Sequence, residues 1–250
     1  MKPAPEHPAA SRPFVLLNMA MTADGKIATA NRKISSFGTP RDQRHLYELR
    51  ATVDAVMSGA RTVDLNPVTL GNGGARFEKL RRRGGLAPCP LRVVVSGSGS
   101  LDPDAAIFQR HFSPILVLAS GRATKPRLAA LRRVADEVRV FGRGDLDFAA
   151  ALRWLHRQHG VRRLLCEGGG ELNDALFRAG LVDELHLTIC PLVFGGRSAP
   201  TIADGLGFAR LADAFPLELV SQRRVGDELF LVYARAEVAQ QPTPRAARES

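Results

Sequence analysis

Three consecutive glycines, Gly168-Gly169-Gly170, stand between a short apolar run, Leu164–Cys166, and a segment whose Leu172, Ala175, Leu176 and Ala179 share one helical face. The pattern predicts a buried strand, a tight turn and a helix start. Without Cβ atoms at the turn, a ligand's phosphates can approach the backbone. Free N–H groups at the helix start, aided by the helix dipole, can then hold a pyrophosphate. The spacing is not G-x-G-x-x-G, and no ribose-binding acid stands about 20 residues further on. A second junction, Ser58-Gly59-Ala60-Arg61-Thr62-Val63, offers a glycine for close approach and an Arg with a Thr suited to a phosphate monoester. A surface ion pair is the alternative for Arg61. Asp64 and Asn66 bring two more polar side chains to the same edge.

Other chemistries lack their residues. There is no G-x-S-x-G, and none of His7, His45, His111, His156, His159 and His186 stands in a recognisable relation to a Cys or Ser. Metal-assisted hydrolysis lacks HExxH and a carboxylate cluster, and no metal is expected. Cys89-Pro90 does not supply the P-C-x-x-C of a deaminase. What remains is a phosphate-binding sheet edge without a strong nucleophile. Hydride transfer from a bound nicotinamide suits such a site, because the cofactor carries the chemistry and the protein orients it.

The elements that must position these residues alternate along the chain. Strands are predicted at Phe14–Ala20, Val53–Met57, Leu91–Val95, Ile115–Ala119, Val138–Phe141 and Leu164–Cys166. Helices are predicted from Thr39-Pro40, a Thr cap with Pro in the first turn, at Arg127–Val134, and at Phe148–His156. Most of the strands run into Gly or Ser, so a largely parallel sheet with helices on its faces would bring Gly59, Ser96, Gly121 and Gly168 to one carboxyl edge, where such sheets bind ligands. Glu184–Cys190 alternates apolar and polar residues, and Leu217–Arg223 and Glu228–Tyr233 flank Val225-Gly226-Asp227, a hairpin candidate. The C-terminal edge is therefore expected to be antiparallel.

The formal net charge of +10 admits nucleic acid as a partner. However, the one dense run, Arg76–Arg83, has no RNA-recognition aromatic motif, helix-turn-helix signature or zinc knuckle beside it. It reads as a solvated basic loop, and a basic surface equally suits a phosphorylated substrate and cofactor. No apolar run is long enough to span a bilayer, and the Pro- and Ala-containing start lacks a signal peptide's apolar core. The chain is expected to be cytoplasmic, with no membrane partner. Cys89, Cys166 and Cys190 form neither a disulfide framework nor a zinc site. Residues 1–12 and 237–250 read as disordered tails around one domain, 13–236.

Several pieces, in this order and spacing, resemble the RibD C-terminal family, the reductase domain of riboflavin biosynthesis. They are Met21-Thr22-Ala23-Asp24-Gly25-Lys26-Ile27-Ala28, Leu49-Arg50-Ala51, Asp54-Ala55-Val56 and Gly59-Ala60-Arg61-Thr62-Val63. Glu167-Gly168-Gly169-Gly170-Glu171-Leu172, Gly180-Leu181-Val182-Asp183-Glu184-Leu185 and Pro191–Gly196 complete the set. The resemblance implies a dihydrofolate-reductase-like α/β fold and a homodimer. It also implies NADPH-dependent reduction of a ribosylamino-pyrimidine 5′-phosphate to the ribitylamino compound. Ala20, Gly59, Thr62, Gly168, Gly169, Gly170, Glu171 and Leu172 would then contact NADPH, with Ser96 or Gly97 near its adenosine end. Arg61 would meet the 2′-phosphate, as in the related G-R-x-T turn of dihydrofolate reductases. Arg50, Glu167 and Ser36 would lie on the substrate side; the alternatives are a helix-surface charge for Arg50 and a helix-capping carboxylate for Glu167. Asp64 or Asn66 would hold the polar role at the transfer site. Lys26, which follows the family motif, is the third candidate there, its alternative being an exposed turn lysine.

The sequence departs from the family after the second strand. Thr62–Thr69 is one residue short, and Gly71-Asn72-Gly73-Gly74 stands where the family's substrate-phosphate Arg is expected. That departure motivates a different substrate on the same fold and cofactor: dihydrofolate, another pterin or a secondary-metabolite pyrimidine. From another class, a basic nucleotide- or nucleic-acid-binding module without turnover is the remaining alternative. The deaminase domain often fused upstream is absent, which predicts a stand-alone reductase.

Overall fold

The computed structural model describes residues 11–32 and 37–236. Ser36 and nearly all of the two terminal tails fall outside them. Nine strands form one sheet: β1 (Phe14–Thr22), β2 (Ala55–Gly59), β3 (Leu91–Val95), β4 (Ile115–Ala119), β5 (Glu137–Val140), β6 (Arg163–Cys166), β7 (Glu184–Cys190), β8 (Leu217–Val225) and β9 (Glu228–Arg235). Their order is β5-β4-β3-β2-β6-β1-β7-β9-β8. Strands β5 to β7 in that order run parallel, while β9 pairs antiparallel with β7 and β8. The expected mostly parallel sheet with an antiparallel C-terminal edge is thus the observed one.

Helices lie on both faces because successive strand residues point to opposite sides. Val15 and Leu17 of β1, Met57 of β2 and Leu164 of β6 pack with Leu152 and Leu155 of α5 (Phe148–His159) and Leu172 and Leu176 of α6 (Gly170–Arg178). Leu16, Val56 and Leu165 turn the other way. They meet Leu49 of α1 (Pro40–Arg50), Val63 of α2 (Ala60–Leu65) and Leu131 of α4 (Lys125–Leu131). Helix α1 starts as expected, with Thr39 Oγ1 accepting the Arg41 amide at 3.1 Å. The second strand begins two residues later than expected, at Ala55, because Val53, buried just after the Ala51-Thr52 turn that ends α1, gives its carbonyl to Arg81 instead of the sheet.

The basic run corrects the expectation of a solvated loop. It is a helix, α3 (Ala75–Arg83), whose Phe77 and Arg81, four apart, face inward. Arg81 is wholly buried. Its Nε donates to Ala87 O at 2.8 Å and its Nη1 to Val53 O at 2.8 Å and to Arg50 O. Burial lowers the Arg81 pKa, and the carbonyl dipoles compensate the charge. The dense charge thus ties the end of α1 to the loop before β3.

Candidate active site

The strand-turn-helix stretch forms as predicted and is clamped from both sides. Gly59 N, at the end of β2, donates to Gly168 O at 2.8 Å, and Ser58 Oγ reaches the same carbonyl at 3.3 Å. Asp204 N donates to Gly170 O at 3.0 Å, and Asn173 Nδ2 to Ile202 O at 2.7 Å. Gly168 needs to be glycine: its φ is +78°, and a Cβ would stand 2.7 Å from Met19 Sδ. Gly169 caps α6 with no side chain, so the first amides of the helix have no partner within it.

These amides open into a cleft of about 1340 Å³ at the carboxyl edge of the sheet. Of the candidate cofactor contacts, Gly59, Arg61, Thr62, Ser96 and Gly97 line it from the β2 and β3 side. Gly169, Gly170, Glu171 and Leu172 line it from α6. Gly168 supports the turn from behind. Ala20 lies in β1 opposite Thr188 of β7, off the cleft wall. Arg61 and Glu171 meet across the opening, Nη1 to Oε1 at 2.7 Å, with both side chains more than half exposed. Such a pair is worth under about 1 kcal/mol and opens readily.

The transfer-site candidates separate. Asp64 lines the cleft and accepts the Asp102 amide at 3.0 Å; burial, and to a lesser degree the Asp102 carboxylate, raise its pKa against that hydrogen bond. Asn66 instead closes the last turn of α2, its Nδ2 donating to Thr62 O at 2.8 Å. Lys26 turns to the 199–201 segment: its Nζ donates to Ala199 O at 3.2 Å and its backbone bridges Thr201, while Ile27 and Ala28 beside it line the cleft.

Arg50 and Glu167, expected on the substrate side, do not line the cleft; they bind each other, Nε to Oε1 and Nη2 to Oε2, both at 2.6 Å and almost out of water. Burial opposes the Arg50 charge, but the Glu167 carboxylate outweighs it and holds the guanidinium above its ordinary pKa. Arg50 Nη1 also donates to Gly71 O at 2.7 Å. The segment lacking the family's Arg is thereby drawn against the pair, and Gly73, at φ +83°, has no room for a Cβ beside the Tyr47 ring.

Three contributors escaped the sequence reading. Asp24, quoted only as part of a motif, accepts Thr22 Oγ1 at 2.6 Å, Phe194 N at 3.2 Å and Gly195 N at 2.8 Å. It joins the first motif to the last. Arg32 and Arg122 both line the cleft. Arg122 directly follows Gly121, the small residue that marks the end of β4 in the sequence; Arg32 carries no signal in the sequence.

The residues fit a dinucleotide. The start of α6 is uncapped, and a Cβ on Gly169 would stand 3.3 Å from Thr62 Oγ1, inside the gap between α6 and α2. Among the described residues no three His, Cys, Asp or Glu side chains come together as metal ligands, and no helix is long and apolar enough to cross a membrane. The fold is a mostly parallel α/β sheet with an uncapped helix start at its carboxyl edge, the place where such sheets bind ligands. The chain belongs to the RibD C-terminal domain family, which matches residues 13–231. It is 37% identical over 222 residues to the 2,5-diamino-6-ribosylamino-4(3H)-pyrimidinone 5′-phosphate reductase of Methanothermobacter thermautotrophicus, covering 89% of this chain and 98% of that one. The reductase of the same name from Archaeoglobus fulgidus is 36% identical over 84% of this chain and 95% of its own. The fold is shared with the crystal structure of a pyrimidine reductase-like protein from Corynebacterium diphtheriae. There the TM-score is 0.72 at 23% identity, over 90% of this chain and 92% of that one.

Proposed function

We propose that this protein reduces 2,5-diamino-6-ribosylamino-4(3H)-pyrimidinone 5′-phosphate in riboflavin biosynthesis, the reaction for which its relatives are named. Reduction precedes deamination on this reading, since those names carry the diamino ring. The observation that carries it is the uncapped α6 start opening into the cleft beside the Gly169 turn.

NADPH is the proposed cofactor; when bound, it supplies the hydride that converts the ring-opened ribosylamino group to ribitylamino. The α6 amides hold the pyrophosphate, and the Ser96–Gly97 loop the adenosine end. Arg50 and Glu167 hold the loop around Gly71 and shape the substrate side. The protein's contribution is position and electrostatics, because orientation alone supplies much of the rate of a two-reactant step.

A homodimer is proposed as well. Strand β8 is at the sheet edge and all but its last residue are exposed, with Leu217, Leu219 and Val220 among them. The first half of this edge, Leu217–Val220, is mostly apolar and exposed, and an unpaired edge of this kind is a pairing surface. The free thiols of Cys89, Cys166 and Cys190 agree with a reducing, cytoplasmic setting.

The test is cofactor oxidation by the purified protein, offered the diaminopyrimidinone ribosylamino phosphate and its deaminated counterpart separately. Turnover of the diamino compound is expected. Bound cofactor with neither compound reduced would overturn the substrate and leave the cleft assignment standing.

A further inference from the structure

We infer that Arg122, not Arg61, reads the adenosine 2′-phosphate, and that it is the residue separating NADPH from NADH. The inference rests on the dinucleotide reading above and sharpens it.

The strand order supplies the distances. The α6 amides that take the pyrophosphate follow β6, and Arg61 follows β2, the adjacent strand. At the spacing of neighbouring strands, Arg61 stands only about 5 Å along the edge from the pyrophosphate. Arg122 follows β4, three strands from β6, or about 14 Å on the same spacing. The proposed substrate side, shaped by Arg50 and Glu167, lies at the β6 end, and the Ser96–Gly97 loop proposed for the adenosine follows β3, so the adenosine runs over β3 and β4. The ribose 2′ position is one extended nucleotide beyond the pyrophosphate. That is on the order of 10 Å, about two strand spacings, which reaches the β3 loop beside which the Arg122 guanidinium lies.

The side chains at that place suit a phosphate monoester. Arg122 Nη2 lies 3.3 Å from where a Cβ on Gly97 would be, so its guanidinium lies over the glycine backbone in the cleft. The loops that carry it are tied together: Ser120 N and Oγ both donate to Gly97 O, at 3.0 and 2.9 Å, and the Arg122 amide donates to Ser120 Oγ at 3.3 Å. Ser98 and Ser100 line the same end, their hydroxyls 3.1 Å apart. An anchored guanidinium with nearby hydroxyls gives charge-assisted hydrogen bonds to a terminal phosphate.

Reach along the sheet edge, rather than charge, separates the two arginines. Arg61 pairs with Glu171 at 2.7 Å, an exposed contact that opens readily. Arg122 has only a longer contact to Asp145, 3.3 Å, and that carboxylate is 86% exposed. Water screens it, and it swings away at little cost.

The probes are 2′,5′-ADP and 5′-AMP, which differ only in the 2′-phosphate, with binding followed by calorimetry. The wild type is expected to prefer 2′,5′-ADP by about ten-fold or more. Arg122→Ala should lower that preference to about two-fold or less, and Arg122→Lys should restore part of it. Arg61→Ala should weaken both probes by the same factor. With whole cofactors, Arg122→Ala should raise KM for NADPH and leave KM for NADH within about two-fold. A preference retained in Arg122→Ala, or abolished in Arg61→Ala, overturns the inference while the dinucleotide reading stands. A wild type that binds both probes equally overturns it together with the preference for NADPH. Failure of both probes to bind overturns it along with the dinucleotide cleft.

Discussion

Arg50 and Glu167 form a two-point ion pair at 2.6 Å per contact, 117 positions apart in the chain and nearly closed to water. It joins the last turn of α1 to the residue that opens the glycine turn. The pair therefore fastens α1 to the glycine turn from outside the cleft, whose lining includes neither residue.

Breaking this pair on one side leaves a charge buried and unpaired. Glu167→Ala is expected to lower unfolding stability by about 3–5 kcal/mol, read by urea denaturation. Arg50→Leu combined with Glu167→Leu should recover at least half of that loss and still lack turnover. Full turnover in the double variant would reduce the pair to a fold element.

Neighbouring glycines of the turn should behave differently. Gly169 has ordinary backbone angles and only Thr62 Oγ1, 3.3 Å away, near its absent Cβ. Gly169→Val is expected to keep the melting temperature within a few degrees and weaken NADPH binding by at least about ten-fold. Gly170 would push a Cβ to 2.7 Å from Thr201 O and 3.0 Å from the Asp204 amide, both backbone. Gly170→Ala should therefore destabilise the protein itself. Unimpaired NADPH binding by Gly169→Val would sink the cradle.

His45 sets an acid limit on stability. Its Nε2 lies 3.3 Å from His186 Nδ1, the Phe230 ring packs edge-on against it, and Glu184 pairs with His186. Burial first, then the charges of His186 and Arg223, lower its pKa from 6.5 to about 4. The unfolded chain then takes up the proton before the folded one does. This contribution is complete above pH 6.5 and is lost as pH falls through 6.5 towards about 4. Thermal melts across that window should show a shallower decline for His45→Gln than for the wild type. Parallel curves would clear His45 of the effect.

The bare edge strand makes the dimer testable. Leu219 and Val220 are 47% and 62% exposed on β8. Replacing both with Lys should convert a sedimenting dimer to a monomer while the far-ultraviolet spectrum stays unchanged. A wild-type monomer at micromolar concentration would remove the dimer proposal outright.

Local chemistry alone determined much of this protein. An apolar run stopped by glycines makes the β6-to-α6 turn, Thr39-Pro40 opens α1, and alternating strands and helices imply a parallel sheet with its small-residue turns on one edge. These features report backbone geometry over a few residues, which periodicity and turn residues encode directly. The dense basic run was legible only as charge. Its helix and the burial of Arg81 depend on three carbonyls that tertiary folding brings around it. Side-chain partnerships were the other part left to the fold. Asp24 with Gly195, Arg61 with Glu171, and Arg50 with Glu167 each join residues more than 100 positions apart. They exist because β6 inserts between β2 and β1 while β7 pairs with the other side of β1, which the order of strands along the chain does not reveal. Which polar residue enters the cleft, Asp64 rather than Asn66, was decided by the same packing, since Asn66 is spent closing the helix that carries Asp64.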